Sequence, residues 1–234
     1  MSGTLYGLGV GPGDPELVTV KALRVLRGLP VVAYPAPSDG ASFARSVVAS
    51  RLSPAQTEIA IRVPMTRSVA PAQPVYDRAA LEIGEHLRAG RDVGVLCQGD
   101  PFFYGSFIQL FERLATEFPT KVVPGVSSLT ACAAAAGVPL VTRDEILTVL
   151  PATLAEAALE KRLKQAEAAA ILKLGRHLPK VRRILKRLGL ADRATYVEHA
   201  SLESQKILAL EDVDPASAPY FSMVLVRRAD RDTR

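Results

Sequence analysis

Short apolar runs alternate with helix-period segments along this chain, and three of the runs end in turns of glycine, proline and small polar residues. That alternation limits the fold to layered α/β architectures, in which each strand feeds a helix that covers the sheet. Thr4 to Val10 alternates apolar side chains with glycines and stops at Gly11-Pro12-Gly13. Asp14 then suits a helix N-cap and Pro15 the first helical position, with Val18, Ala22, Val25 and Leu26 at helical spacing. Leu29 to Tyr34 reads as a buried strand closed by Pro35-Ala36-Pro37. A helix over 41–50, a strand over 57–62, an irregular loop over 63–74, a helix over 76–87 and a strand over 92–97 follow. The second half continues with a helix over 106–117, a strand over 120–123 and an alanine-rich helix from Ser127-Ser128 to Ala136. Strands over 145–150, 168–174 and 194–198 then alternate with helices over 154–166 and 177–188. Lys206 to Leu210 and Phe221 to Val226 read as two antiparallel strands. The expected seam lies at Phe118-Pro119, giving domains 1–117 and 118–234.

Composition removes several function classes. Of 234 residues, 48% are hydrophobic and 23% charged, which excludes a disordered chain, a collagen-like repeat and a disulfide-stapled miniature. The longest near-apolar run, Leu129 to Val141, is too short for a bilayer, and the N-terminus lacks the basic flank of a signal peptide. Cys97 and Cys132 cannot build a disulfide framework or a zinc site, and His86, His177 and His199 show no metal-ligand spacing. A cytoplasmic protein with no metal and no membrane partner is expected. The net charge of +5 is mild, there is no Trp, and aromatics are sparse, so no nucleic-acid partner is expected either. The basic run Lys173, Arg176, Lys180, Arg182, Arg183, Lys186 and Arg187 reads as an RNA face or as the solvated side of an amphipathic helix.

Three turns are candidate sites. Gly7 to Asp14 (GLGVGPGD) offers bare backbone and a helix start to an anionic ligand, or is simply a tight strand-to-helix turn. It fails the dinucleotide fingerprint, because Pro12 or Asp14 stands where the third glycine belongs. Gln98 to Gly105 (QGDPFFYG) follows a buried strand; Asp100 and Pro101 read as a helix cap, which leaves three consecutive aromatics unexplained. Pro124 to Ser128 (PGVSS) repeats the arrangement, with Ser127 able to cap its helix. Together the three outline a cleft at one edge of a sheet.

GVGPGDP at 9–15, QGDPFFYGS at 98–106, PGVSSLTA at 124–131, LKLGRHLPKVRRIL at 172–185 and YVEHAS at 196–201 together resemble the tetrapyrrole methylase family. The blocks occur in family order over essentially the whole chain. VVAYPAP at 31–37 and GRHLPKV at 175–181 most resemble the family's precorrin-2 C(20)-methyltransferases of cobalamin synthesis. The resemblance implies two α/β domains with the active site in the trough between them, a homodimer, and S-adenosylmethionine as methyl donor. It implies that Pro12, Gln98, Gly99, Asp100, Phe103, Ser127, Ser128, Leu174 and Ala200 bind the cofactor. Pro12 would lie near its methionine part, the two serines at its polar end, and Leu174 and Ala200 beside adenine. Uroporphyrinogen methylases of the family carry an acid after the second strand; Pro35 follows Tyr34 here, so no catalytic residue is carried over. Arg62 and Arg67 are candidate partners for the carboxylates of a tetrapyrrole substrate, or belong to an ordinary surface loop. Methylation of another precorrin, of cobalt-factor II or of ribosomal RNA, and a non-catalytic cofactor sensor, are the alternatives.

Overall fold

The protein is represented by a computed structural model describing residues 1–64, 72–214 and 216–228. It divides into two compact units, Met1–Ser127 and Ser128–Arg234. In the first unit, β1 (Leu5–Gly9), β2 (Val31–Pro37), β3 (Thr57–Val63), β4 (Val93–Cys97) and β5 (Thr120–Val123) form one sheet in the order β3-β2-β4-β1-β5. Every neighbouring pair in it is parallel. A parallel sheet needs cover on both faces, and the helices provide it. Leu5, Val31, Ala33, Ile59, Val93 and Val95 pack under α3 (Gln73–Arg88) and α4 (Phe107–Leu114) through Ile83, Leu87, Phe107 and Leu110. Leu8, Val32, Tyr34 and Leu96, on the opposite face, pack under α1 (Val20–Gly28) and α2 (Phe43–Val47) through Ala22, Leu26, Ala44 and Val47.

Three expectations are corrected in this unit. The first unit runs past the expected seam at 117/118, because Thr120–Val123 pairs in parallel with β1 and completes the sheet. The first helix starts later than Pro15. Asp14 caps only a 3-10 turn over Pro15–Leu17, and Thr19 caps α1 by accepting the Ala22 amide at 3.1 Å. Strand β2 continues through Pro35 and Pro37. Pairing with β4 ends at Ala33 while pairing with β3 continues to Val63, so that stretch is an edge, where a missing amide hydrogen is tolerated.

In the second unit, α5 (Ser128–Ala136), α6 (Glu156–Gln165) and α7 (Leu178–Arg187) accompany a sheet of order β6-β7-β10-β8-β9. Its strands are β6 (Leu147–Pro151), β7 (Ala168–Leu172), β8 (Ala194–Glu198), β9 (Lys206–Ala209) and β10 (Ser222–Arg227). Only β6 and β7 are parallel. The two last strands do not pair with each other; each lies antiparallel to β8, on opposite sides of it. Leu178, Val181, Ile184 and Leu185 recur at helical spacing and bury α7 against Ile171, Tyr196 and Val224. The outer side of α7 is basic but largely engaged. Arg183 and Arg187 pair with Glu156, Arg187 also with Glu160, and Arg182 donates to the carbonyls of Glu211 and Val213. Lys180 donates to the Leu154 carbonyl. Of the two readings of the basic run, the structure favours the amphipathic helix.

Candidate functional site

Adjacent strands β1 and β4 lead to helices on opposite faces of the first sheet, α1 on one and α4 on the other. The chain therefore diverges at their carboxyl ends, which is where open α/β sheets leave a ligand crevice. The turns at 9–13 and 98–105 border this point, and the turn at 124–128 follows β5, the other neighbour of β1.

The three turns meet backbone to backbone. Gly99 N donates to Gly11 O at 2.8 Å and Gly11 N to Gly99 O at 3.4 Å, extending the sheet by one bridge beyond Val10 N to Cys97 O at 2.9 Å. A Cβ on Gly9 would stand 2.5 Å from Gly125 N, 2.6 Å from Gly125 Cα and 2.8 Å from Gly99 O. One on Gly125 would stand 2.8 Å from Gly9 Cα and closer still to Gly99 O. A Cβ on Gly7 would strike the Phe107 ring. Gly7 and Gly9 therefore serve close packing in the first place. Gly11 and Gly99, at φ 77° and 66°, supply backbone conformations that other residues rarely adopt.

Asp100 ties two of the turns together. Its Oδ1 accepts the Phe102 amide at 2.9 Å and its Oδ2 the Gly125 amide at 3.1 Å. Pro12 and Gly99 are buried; Gln98, Asp100, Phe103 and Ser127 are half-buried; Ser128 is exposed at the start of α5. Phe103 stands edge-on to Tyr104 at 5.1 Å, while Phe102 stands edge-on to Phe111 at 5.0 Å and tilted to Phe107 at 5.9 Å. Phe102, 47% exposed, thus covers the outside of α4, while Phe103 and Tyr104 stay in the loop. In the second unit, Leu174 is fully buried in the core beyond β7. Ala200 follows β8 and is 7% exposed. Arg62 is exposed, and its Nη1 donates to the carbonyls of Pro37 at 3.2 Å and Gly40 at 2.7 Å, bracing that turn. Arg67 lies outside the described residues. The carbonyl of Pro35, within β2, accepts Ser42 Oγ at 2.6 Å.

The sequence pattern of the tetrapyrrole (corrin/porphyrin) methylases matches residues 4–214. The chain belongs to this family. It is 44% identical over 232 residues to a precorrin-2 C(20)-methyltransferase of Sinorhizobium sp, covering 96% of this chain and 95% of that one. It is 32% identical to the cobalt-precorrin-2 C(20)-methyltransferase of Salmonella typhimurium, covering 97% and 98%. Among solved structures, uroporphyrin-III C-methyltransferase from Thermus thermophilus complexed with S-adenosyl homocysteine is similar at TM-score 0.70 and 25% identity. That match covers 96% of this chain and 92% of the other.

In this tetrapyrrole methylase, backbone strain coincides with the family motifs. Five non-glycine residues among those described have positive φ: Tyr104, Arg143, Lys173, His199 and Ser201. All but Arg143 stand beside expected site residues: Tyr104 next to Phe103, Lys173 before Leu174, and His199 and Ser201 on either side of Ala200. Such conformations cost about 1–3 kcal/mol each and persist where surrounding structure imposes them, commonly at ligand sites.

The histidines and cysteines differ in their surroundings. Burial, with Lys180 and Arg176 nearby, holds His177 below the usual imidazole range. His199 Nδ1 lies 3.3 Å from Ser204 Oγ. His86, expected on a helix surface, is half-buried, and its Nδ1 is buried without a hydrogen-bond partner among the described residues. Burial pushes the Cys97 thiol up and that of Cys132 up to about 12. Among the described residues no cluster of His, Cys, Asp or Glu is suited to a metal ion, and no helix is long and apolar enough to cross a membrane. One buried carboxylate escaped sequence reading. Glu198 accepts the Tyr196 hydroxyl at 2.6 Å and pairs with Lys206 at 2.9 Å. Its available signal was the strand spacing of Tyr196 and Glu198, which puts both on one face.

Proposed function

We propose that the protein transfers the methyl group of S-adenosylmethionine to C-20 of precorrin-2, in the assembly of the cobalamin ring. The observation that carries this is the 44% identity, over nearly the full length of both chains, to a protein named for that reaction. Higher identity to the precorrin-2 enzyme than to the cobalt-precorrin-2 enzyme favours the metal-free ring. The cofactor residues of the first unit are Pro12, Gln98, Gly99, Phe103 and Ser127; those of the second are Ser128, Leu174 and Ala200. Asp100 acts indirectly, by holding the Gly99 and Gly125 turns together. Arg62 and Arg67 belong to the proposal only as partners of substrate carboxylates, Arg62 through donors beyond the one bracing Pro37 and Gly40.

The sulfonium supplies a methyl group that is already electrophilic, so the chain's task is to align two reactants and exclude water. Rigid turns locked by the Gly11–Gly99 bridge suit that task, since alignment is worth up to roughly 7–11 kcal/mol in favourable cases. The proposal includes action in the cytoplasm, where two buried free cysteines stay reduced, and assembly as a homodimer. Incubation with precorrin-2 and methyl-labelled S-adenosylmethionine should give a single new methyl on C-20, located by carbon NMR. A methyl at another position, transfer only to the cobalt-containing ring, or no transfer overturns the reading.

A further inference from the structure

Glu198, the last residue of β8, is 7% exposed and lies on the same face as the fully buried Tyr196. Both of its carboxylate oxygens are held: Oε2 by the Tyr196 hydroxyl at 2.6 Å, Oε1 by Lys206 Nζ at 2.9 Å from the edge strand β9. Its register partner on β10, Ser222, is also buried and donates its hydroxyl to Pro219 O at 2.6 Å. Immediately beyond Glu198 the backbone enters the left-handed region at His199 (φ 50°), leaves it at Ala200 and re-enters it at Ser201 (φ 71°). The turn is held on its far side, where His199 N donates to Phe221 O at 2.9 Å and Gln205 Oε1 accepts Ser201 N at 2.8 Å.

Burying a carboxylate beneath an exposed lysine is seldom the most stabilising way to fill such a position; an apolar side chain of similar volume commonly does as well. What the carboxylate adds is direction, since two anchors on two strands fix where the chain leaves the sheet. We propose that Glu198 is a positioning residue that holds the His199–Ser201 turn so that the main chain at Ala200 meets the adenosyl part of S-adenosylmethionine. This rests on the cofactor reading given above for Ala200.

The test is Glu198→Gln, which keeps the volume and an acceptor for Tyr196 but loses the attraction of Lys206. Binding of S-adenosylhomocysteine is measured by calorimetry, and KM is measured separately for S-adenosylmethionine and for precorrin-2. The expected result is a Kd and a cofactor KM raised about tenfold, with kcat at saturation and the precorrin-2 KM within about twofold of wild type. A lowered melting temperature with unchanged Kd would show a strand staple and overturn the inference. If Glu198→Gln does not fold, Tyr196→Phe and Lys206→Met each remove one anchor. Each should raise the Kd at least threefold, Lys206→Arg should restore it, and unchanged affinity in both single-anchor variants refutes the role. A wild-type protein that binds no S-adenosylhomocysteine sinks the cofactor reading and this inference with it. Wild-type binding with unchanged affinity in the variants sinks the inference alone.

Discussion

Gly9→Ala adds one methyl group where three turns converge. The new carbon would lie 2.5–2.8 Å from Gly125 N, Gly125 Cα and Gly99 O, all main-chain atoms that cannot rotate away. To bring the shortest contact to 3.0 Å, the 125 turn must retreat from β1 by at least about 0.5 Å in a region packed like a crystal. That movement opposes the Gly125 amide bond to Asp100 and the paired Gly11–Gly99 bonds. Losing a charge-assisted hydrogen bond and one or two neutral ones, with residual overpacking, costs about 3–5 kcal/mol. With a urea slope of about 3 kcal/mol/M for a chain of this size, the unfolding midpoint should fall by about 1–1.7 M. Far-UV circular dichroism in urea reads this directly, and calorimetry with S-adenosylhomocysteine should show affinity at least tenfold weaker. A variant with a wild-type midpoint and wild-type affinity would refute the claim that these glycines exist for loop packing.

Gly28→Ala is the converse case: a Cβ there meets nothing within 4 Å at the end of α1, so the midpoint should rise, by about 0.5–1 kcal/mol in stability. A loss of stability would mean the helix end needs glycine for another reason. Cys97 and Cys132, buried with raised thiol pKa values, should label with a thiol reagent at pH 8 only as the protein unfolds. Stoichiometric labelling of the native protein within seconds contradicts that. Individual replacement of His86, His177, His199 and Cys97 should leave single-turnover rates within about a hundredfold of wild type, the low end for a true acid–base group. A larger loss in a folded variant, unrelieved by saturation with both substrates, identifies an acid or base. Sedimentation at micromolar concentration should show a species of twice the 25.0 kDa chain mass, and a monomer alone argues against the homodimer.

Strands bounded by glycine or proline were legible from sequence because a buried parallel strand is a short apolar run with hard stops; β1 and β4 are of this kind. The extension of β2 was not, since Pro35 is excluded from a strand only if both sides are paired, and pairing is a tertiary fact. The seam failed for the same reason: Thr120–Val123 carries no local mark of which sheet it joins. The meeting of the three turns followed from their common position after parallel strands. Family resemblance supplied their chemical meaning. What periodicity concealed was that Gly9 faces Gly125, and that Asp100 accepts amides from its own chain. Glu198 was passed over because a polar residue ending a strand ordinarily faces water, whereas here Tyr196 and Lys206 make its burial tolerable.

The place of β10 in the second sheet sets an order of events at the ribosome. Every strand of the first unit is complete once residue 127 has been made, but β7 and β8 have no contact as neighbours until Ser222–Arg227 slides between them. Until then the second unit holds only the pairs β6–β7 and β8–β9, and two-stranded pieces are marginal in water. At about 5–20 residues per second, roughly 100 residues separate the two completions by about 5–20 s. For that interval the nascent chain carries a finished amino-terminal sheet and an open, adhesive one behind it, the stage at which a chaperone would find it.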